Sequence, residues 1–415
     1  MRPFLPTLIF LACLMIQPCA VGLAQVREPD ITDGPVIKDE LEGALKNVFL
    51  YASLREQISI EQIKKSAAGA EVTLKESSEA GWTQIEIKLE KATLTLSSES
   101  AWSDDMAEHL DGFAGYMISV LAEKQMDSHV YQLMRQAKRT NYLYSFQADP
   151  ALPAESVELV QKIAGHTHAI VFDGTTILDT NLTELLGPKK ARVKTAKIPG
   201  FESSAKRKER SETALKKLDL EPAATLPTVT ADEEVKLRDA KEVARRAICL
   251  MAVTGHAEVG DEFDAMEFLK ERKVADSLSP QEKEFLQRDD LTDQEKGEMT
   301  WRYEALWTML WALGKVEKLE FPDKQSDAKK AIKIVFESGD EFVEKAKLRD
   351  ASEILDQADL NYRCYWLVRN AMLNKKPMDK ISASVNYERL YALNWLIQYM
   401  RKVGTTQSSI RSSVG

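Results

Sequence analysis

The alternation of apolar and polar residues in the first half of the chain predicts an antiparallel sheet. In the stretch WTQIEIKLE, residues 82–90, apolar side chains occupy every second position from Ile85 to Leu89, with charged side chains between them. A period of two buries one face of a strand and leaves the other in water. The stretches AEVTLKE and ATLTLSS are further predicted strands, and Asp173-Gly174 in HAIVFDGTTILD is typical of a type I′ hairpin turn.

Helical spacing occurs between and before these strands. Apolar residues three and four positions apart run from Met106 to Leu121 and form one stripe along a helix. The same spacing predicts helices in AESVELVQKIAG and from Leu41 to Phe49. Antiparallel strands combined with helices predict an α+β chain whose N-terminal mixed α/β domain, with an antiparallel sheet, covers residues 36–184.

The second half of the chain has a different pattern. Between Lys189 and Lys217 there are eleven Lys or Arg and three Glu, and prolines recur further on. This composition predicts a solvated basic linker over residues 185–231. From residue 232 to 403 apolar residues keep helical spacing, so we expect an all-helical C-terminal domain, followed by a disordered tail over 404–415.

Local signals mark several helices of this domain. Capping boxes at Ser279 and Thr292, each with a glutamate three positions later, predict two helix starts. The stretch WRYEALWTMLWALG, residues 301–314, is apolar around almost the whole helical circumference, with only Glu304 and Thr308 forming a polar strip. Burying one tryptophan is worth about 4 kcal/mol. The stretch is therefore predicted to be a core helix, with an aromatic binding face as the alternative.

Three blocks stand out in the helical domain. In chain order they are WRYEALWTMLWALGKVEKLEFP, LRDASEILDQADLNYRCYWLVRNA and NYERLYALNWLI. They resemble the signature blocks of the bacterial family called domain of unknown function 4272, and the resemblance covers residues 235–403. It implies a mostly helical fold and supplies no established reaction. The chain departs from the family pattern at Leu390, where the family has a histidine.

Arg302, Arg369 and Arg389 fall on the apolar arcs of their predicted helices. An unpaired buried charge is strongly destabilising, so each arginine needs a carboxylate or an anionic ligand. A buried ion-pair network with nearby glutamates is one interpretation, and a pocket for a carboxylate, a phosphate or an anionic peptide end is the other. The candidate ligand-binding residues are Arg302, Glu304, Arg363, Arg369, Glu388 and Arg389.

The first 24 residues are predicted to be a secretory signal peptide. A positive charge at Arg2 precedes an apolar run over residues 4–16, and the small residues Gly22 and Ala24 place the cleavage after Ala24. No later apolar stretch reaches the ~20 residues that cross a bilayer. We therefore expect export by the general secretory route, to the periplasm or outside the cell, without a transmembrane segment after cleavage.

Two of the four cysteines, Cys249 and Cys364, follow the predicted cleavage site. Both lie in apolar helical stretches, which favours buried free thiols. An exported protein also meets an oxidising environment, so a disulfide between Cys249 and Cys364 is the alternative.

Charge and motifs narrow the classes of function. Cleavage leaves 55 basic and 65 acidic residues, a net charge of -10, and an acidic exported chain argues against nucleic acid as a partner. The sequence contains no recognised catalytic motif. His166 and His168 lack further ligands nearby, so we predict neither a metal site nor a cofactor.

The leading hypothesis is an exported cell-envelope ligand-binding or protein-interaction module. Its partner would be an anionic small molecule or an envelope protein. Enzymatic activity is not indicated by these patterns. The alternative is an envelope hydrolase-like enzyme with an arginine-lined cleft for an anionic substrate in the helical domain.

Overall fold

The computed structural model describes residues 31–32, 47–120, 128–148, 152–187, 192–193, 195–339 and 341–399. The chain divides into two compact units, with the boundary between residues 203 and 204. The N-terminal unit contains a sheet with helices and the C-terminal unit is helical, so the predicted α+β class is confirmed. The predicted signal peptide and the predicted tail lie outside the described residues.

An eight-stranded antiparallel sheet forms the centre of the N-terminal unit. Its spatial order is β3-β4-β5-β6-β2-β7-β8-β9, and β1 and β10 form a separate parallel pair. The strands are β1 (Ile31–Thr32), β2 (Asn47–Ala52), β3 (Glu71–Ser78), β4 (Gly81–Lys88), β5 (Thr93–Ser100), β6 (Tyr142–Ala148), β7 (Ala169–Phe172), β8 (Ile177–Leu178), β9 (Glu184–Leu186) and β10 (Arg192–Val193). The predicted alternation is confirmed in β4, where Ile85 and Ile87 are fully buried and pair with Leu96 and Leu94 of β5.

Helices cover both faces of this sheet. They are α1 (Ile60–Ser66), α2 (Asp104–Val120), α3 (Ser128–Ala137) and α4 (Ala154–Thr167). Leu50 of β2 belongs to a buried cluster with Ile63 of α1 and Ile163 of α4. On the opposite face Tyr51 stacks on Phe113 of α2, with the ring centroids 3.8 Å apart. Alternate residues of β2 thus enter two different cores.

This two-sided burial explains an error in the sequence prediction. The helix predicted from Leu41 to Phe49 is wrong over Val48 and Phe49, which lie in β2, and its part before Asn47 lies outside the described residues. A strand covered on both faces is apolar at consecutive positions, so its pattern loses the period of two and is easily mistaken for a buried helix. The predicted hairpin is confirmed, since Asp173 and Gly174 lie in the turn that joins β7 to β8. The predicted type I′ turn is wrong, because it requires a positive φ at both residues and only Gly174 has one, +97°.

The C-terminal unit is built around one long buried helix. Its helices are α5 (Glu202–Lys216), α6 (Ala240–Val259), α7 (Ala265–Glu271), α8 (Pro280–Gln287), α9 (Asp293–Thr300), α10 (Arg302–Ala312), α11 (Ala328–Phe336), α12 (Glu341–Glu344), α13 (Ala351–Leu373) and α14 (Ala383–Leu396), with 3-10 turns at Gly260–Glu262 and Ala275–Ser277. Helix α6 packs against α7, α9, α10, α11 and α12, while α14 packs against α10 and α13.

The local helix signals read from the sequence are present in the structure. Both predicted capping boxes form, at Ser279 with Glu282 and at Thr292 with Glu295. The tryptophan helix is α10, where ten of the eleven residues are buried and Trp307 is partly buried against the same core. It is therefore a core helix rather than an aromatic binding face.

The composition of residues 185–231 predicts an irregular linker, but the structure has helix α5 within this segment. The fully buried Arg207 orders it, because Nε donates to Asp356 at 2.9 Å and Nη2 donates to Asp232 at 2.7 Å. Leu215 is also fully buried. The partners of Arg207 lie 25 and 149 residues away, so composition within the segment does not reveal them.

Candidate functional site

Two buried ion pairs join α10 to α14. Arg389 of α14 donates from Nε to Oε2 of Glu304 at 2.9 Å, and Nη1 of Arg302 lies 3.6 Å from Oε2 of Glu388. All four side chains are at most 8% exposed. Each helix contributes one arginine and one glutamate, so this interface carries no net charge.

The Glu304–Arg389 pair also holds the segment that leads into α11. Glu304 accepts hydrogen bonds from Ser326 N at 2.6 Å and from Ser326 Oγ at 2.8 Å. Arg389 donates from Nη1 to the Glu320 carbonyl at 2.6 Å and from Nη2 to Ser326 Oγ at 3.0 Å. The guanidinium and the carboxylate are thus occupied by protein groups from three parts of the chain.

Arg302 has a less complete set of contacts. Its Nε is buried without a hydrogen-bond partner, and its guanidinium lies 5.2 Å from the centre of the Tyr391 ring. Burial opposes the charge, but Glu388, Tyr391 and Glu282 together raise the pKa of Arg302 above its usual value. The pair is held by attraction between opposite charges and by the contact of the guanidinium with the Tyr391 ring.

A further pair, which the sequence analysis missed, links α6 to α8. Arg246 donates to both oxygens of Glu282, at 2.6 and 2.5 Å, and both side chains are buried. Burial acts to raise the pKa of Glu282, but Arg246 and the Ser279 N–H outweigh it and lower this pKa to about 2. The available signal was a charged residue inside the apolar run RRAICLMAV.

Arg363 of α13 is fully buried. It donates twice to Asp359, one helical turn earlier, at 2.8 Å each, and Nη1 donates to Glu212 of α5 at 3.3 Å. Nη2 also donates to the Pro227 carbonyl at 3.3 Å. Helix α5 and the segment after it therefore cover Arg363, which a projection of α13 alone does not show.

Arg369 differs from the other candidate arginines. It is half-buried near the end of α13, and among the described residues no carboxylate pairs with it. Nη1 donates to Tyr365 Oη at 3.4 Å, and the guanidinium lies 5.6 Å from the centre of the Trp366 ring. Of the six predicted site residues, the structure therefore brings Arg302, Glu304, Glu388 and Arg389 together and places Arg363 and Arg369 elsewhere on α13.

Cys249 and Cys364 are free and buried, as the apolar stretches around them predict. The structure contains no disulfide between these two residues. They belong to different apolar clusters, Cys249 in the core around α6 and Cys364 beside Leu215. Burial raises the pKa of each thiol to about 12.

The N-terminal unit contains a small cavity in the part that the structure describes. A cavity between the sheet and α4 holds about 10 Å³, enough for no more than one water. The His168 ring stacks on Phe201, with the centroids 3.9 Å apart, and its Nδ1 is 3.0 Å from the Gly200 carbonyl oxygen. Within the described ranges no group of three or more His, Cys, Asp or Glu is placed to hold a metal ion.

These contacts define the C-terminal unit as an all-helical domain whose core is crossed by arginine–carboxylate pairs. The helical region matches the model of the family described as Domain of unknown function (DUF4272) over residues 207–403. The resemblance predicted from the three blocks is confirmed, and the match begins inside α5. No curated protein and no solved structure matches the chain. None of the helices in the described residues is long and apolar enough to cross a membrane.

Proposed function

We propose that the protein is an exported interaction module that binds another protein of the cell envelope, in the periplasm or outside the cell. The observation that carries this proposal is that the buried arginines are already paired with carboxylates of the same domain. A small anion bound to Arg389 would have to displace Glu304 and leave that carboxylate buried and unpaired, which is strongly unfavourable. Binding at the surface carries no such penalty.

The N-terminal sequence supports export, and the two remaining thiols are compatible with it. The charge at Arg2, the apolar run and the small residues before position 25 have the order of a signal peptide. Cys249 and Cys364 are buried with raised pKa values, which protects them from oxidants in an oxidising compartment.

The hydrolase-like alternative requires guanidinium groups that face an open cleft. The side chains of Arg302 and Arg389 are 6% and 2% exposed and face carboxylates instead. Among the predicted site residues, Arg369 is the arginine that reaches solvent. This favours an interaction surface over a cleft.

The test is native mass spectrometry of the mature chain, recovered from its own cell envelope at natural abundance. We expect a chain that begins at Gln25 and carries a protein partner. A chain that retains residues 1–24 in the cytosolic fraction would contradict export. A different outcome is a small anion that co-purifies with the chain, is absent from an Arg369→Met variant and is retained by the charge-matched control Lys333→Met. That result would contradict the interaction module and indicate a ligand-binding protein or an enzyme.

A further inference from the structure

We infer that the C-terminal end of α13 is a docking surface for a partner-protein segment in which carboxylates lie beside apolar side chains. This surface, the α13 patch, consists of Tyr365, Trp366, Arg369, Met372 and Leu373. The inference rests on the proposed function, because it names the surface and the chemistry of the partner.

The residues of the α13 patch lie on one side of the helix. Trp366, Arg369 and Leu373 are spaced three and four positions apart, and Tyr365 and Met372 flank them. Leu373 is 66% exposed and Met372 is 49% exposed, while Tyr365 and Trp366 are partly exposed. Adjacent exposed apolar side chains beside two aromatic rings form a contiguous surface, which is typical of a binding site.

Arg369 adds a preorganised charge to this surface. Tyr365 and Trp366 hold its guanidinium in place, and only Nη1 makes a hydrogen bond within the protein. The remaining N–H groups can donate to a carboxylate, which arginine binds with two parallel hydrogen bonds. An arginine fixed on an aromatic ring loses little conformational freedom on binding.

The charge around the patch specifies an acidic partner. Lys375 and Lys376 follow the C-cap residue Asn374 of α13 and are exposed, and within the described part of the chain no carboxylate pairs with them. The chain as a whole has a net charge of -9, so this group of three positive charges is a local exception. Lysines after a helix end also stabilise the helix dipole, but that role does not require Arg369 on Trp366.

A second exposed aromatic surface lacks this feature. Phe336 at the end of α11 is 56% exposed and stacks on Phe268, with the centroids 6.0 Å apart. The neighbouring Arg272 donates to the carbonyls of Phe336 and Ser338, so its guanidinium caps α11 and is not offered to a partner. Phe336 therefore provides a matched control on the same domain.

The test is selection of a displayed random peptide library on the full mature chain, with counter-selection on Arg369→Met. We expect the selected peptides to carry Asp or Glu within a few positions of an aromatic or leucine residue. Titration calorimetry should show binding weakened by about tenfold or more in Arg369→Met and in Leu373→Ser. Binding should be unchanged in Phe336→Ser and should weaken as NaCl is raised.

Several outcomes would overturn the inference. They are failure to select any peptide, selected peptides without acidic residues, and equal binding to the mature chain and Arg369→Met. Self-association of the mature chain that is lost in Arg369→Met would also overturn it, because the α13 patch would then bind a second copy of this chain. If Arg369→Met does not fold, Leu373→Ser decides the outcome, because that side chain is largely exposed. A protein partner seen by mass spectrometry together with any of these results would leave the proposed function standing.

Discussion

The Glu304–Arg389 pair makes a quantitative prediction about stability. In an Arg389→Met variant the Glu304 carboxylate, which is 3% exposed, loses its counter-charge. Removing one partner of a buried ion pair typically costs about 3–5 kcal/mol, because the other charge stays buried and uncompensated. The Glu320 carbonyl loses its hydrogen bond as well, while Ser326 still donates to Glu304. We therefore expect Arg389→Met to lower the free energy of unfolding by about 3–5 kcal/mol. A typical domain has an unfolding free energy of ~5–15 kcal/mol, so this loss is a large share of it.

Guanidinium denaturation followed by tryptophan fluorescence measures this loss. Five of the seven tryptophans lie at or after Trp301, so the signal reports mainly on the helical unit. In Arg389→Met the denaturant concentration at the midpoint of unfolding should fall. The slope of the unfolding free energy against denaturant concentration should stay unchanged. The control Lys333→Met, which removes a charge that is 70% exposed, should cost about 0.5 kcal/mol or less.

A double variant separates the loss of the pair from general damage to packing. Replacing both Arg389 and Glu304 by methionine removes both buried charges, and such replacements often restore stability. We expect the double variant to be more stable than Arg389→Met. A loss below about 1 kcal/mol in Arg389→Met, or a double variant less stable than the single one, would refute the reasoning.

Two further predictions follow from the buried titratable groups. Because the folded-state pKa of Glu282 lies near 2, below its usual 4.5, the stabilisation by its charge is complete above pH 4.5 and is lost as the pH falls toward 2. Chemical denaturation at several pH values across this window gives the free energy of unfolding as a function of pH. Its slope should be steeper in the unmodified protein than in Glu282→Gln by up to about 1.4 kcal/mol per pH unit, and equal slopes would contradict the lowered pKa of Glu282. Cys249 and Cys364 should resist a thiol reagent in the native mature chain and react together after denaturation, giving two modified thiols by intact mass. Rapid labelling of the native chain would show that these thiols are accessible.

Local patterns determined much of this fold. The alternation in β4, the capping boxes of α8 and α9, and the all-round apolar α10 each depend on contacts within a few residues, so they could be read directly from the sequence. The three family blocks likewise identified the helical domain. What these features share is a physical cause that acts within one strand or a few helical turns.

Tertiary structure decided the candidate site. Helical projection could show that Arg302 and Arg389 face the core, but their pairing with Glu388 and Glu304 depends on how α10 packs against α14, 85 residues away. Projection could not show that Arg363 is buried, since its cover comes from α5. A charged side chain in the interior requires a partner, which the sequence can predict, but the identity of that partner depends on which helices pack together. Among the candidate arginines, that packing leaves the guanidinium of Arg369 facing solvent.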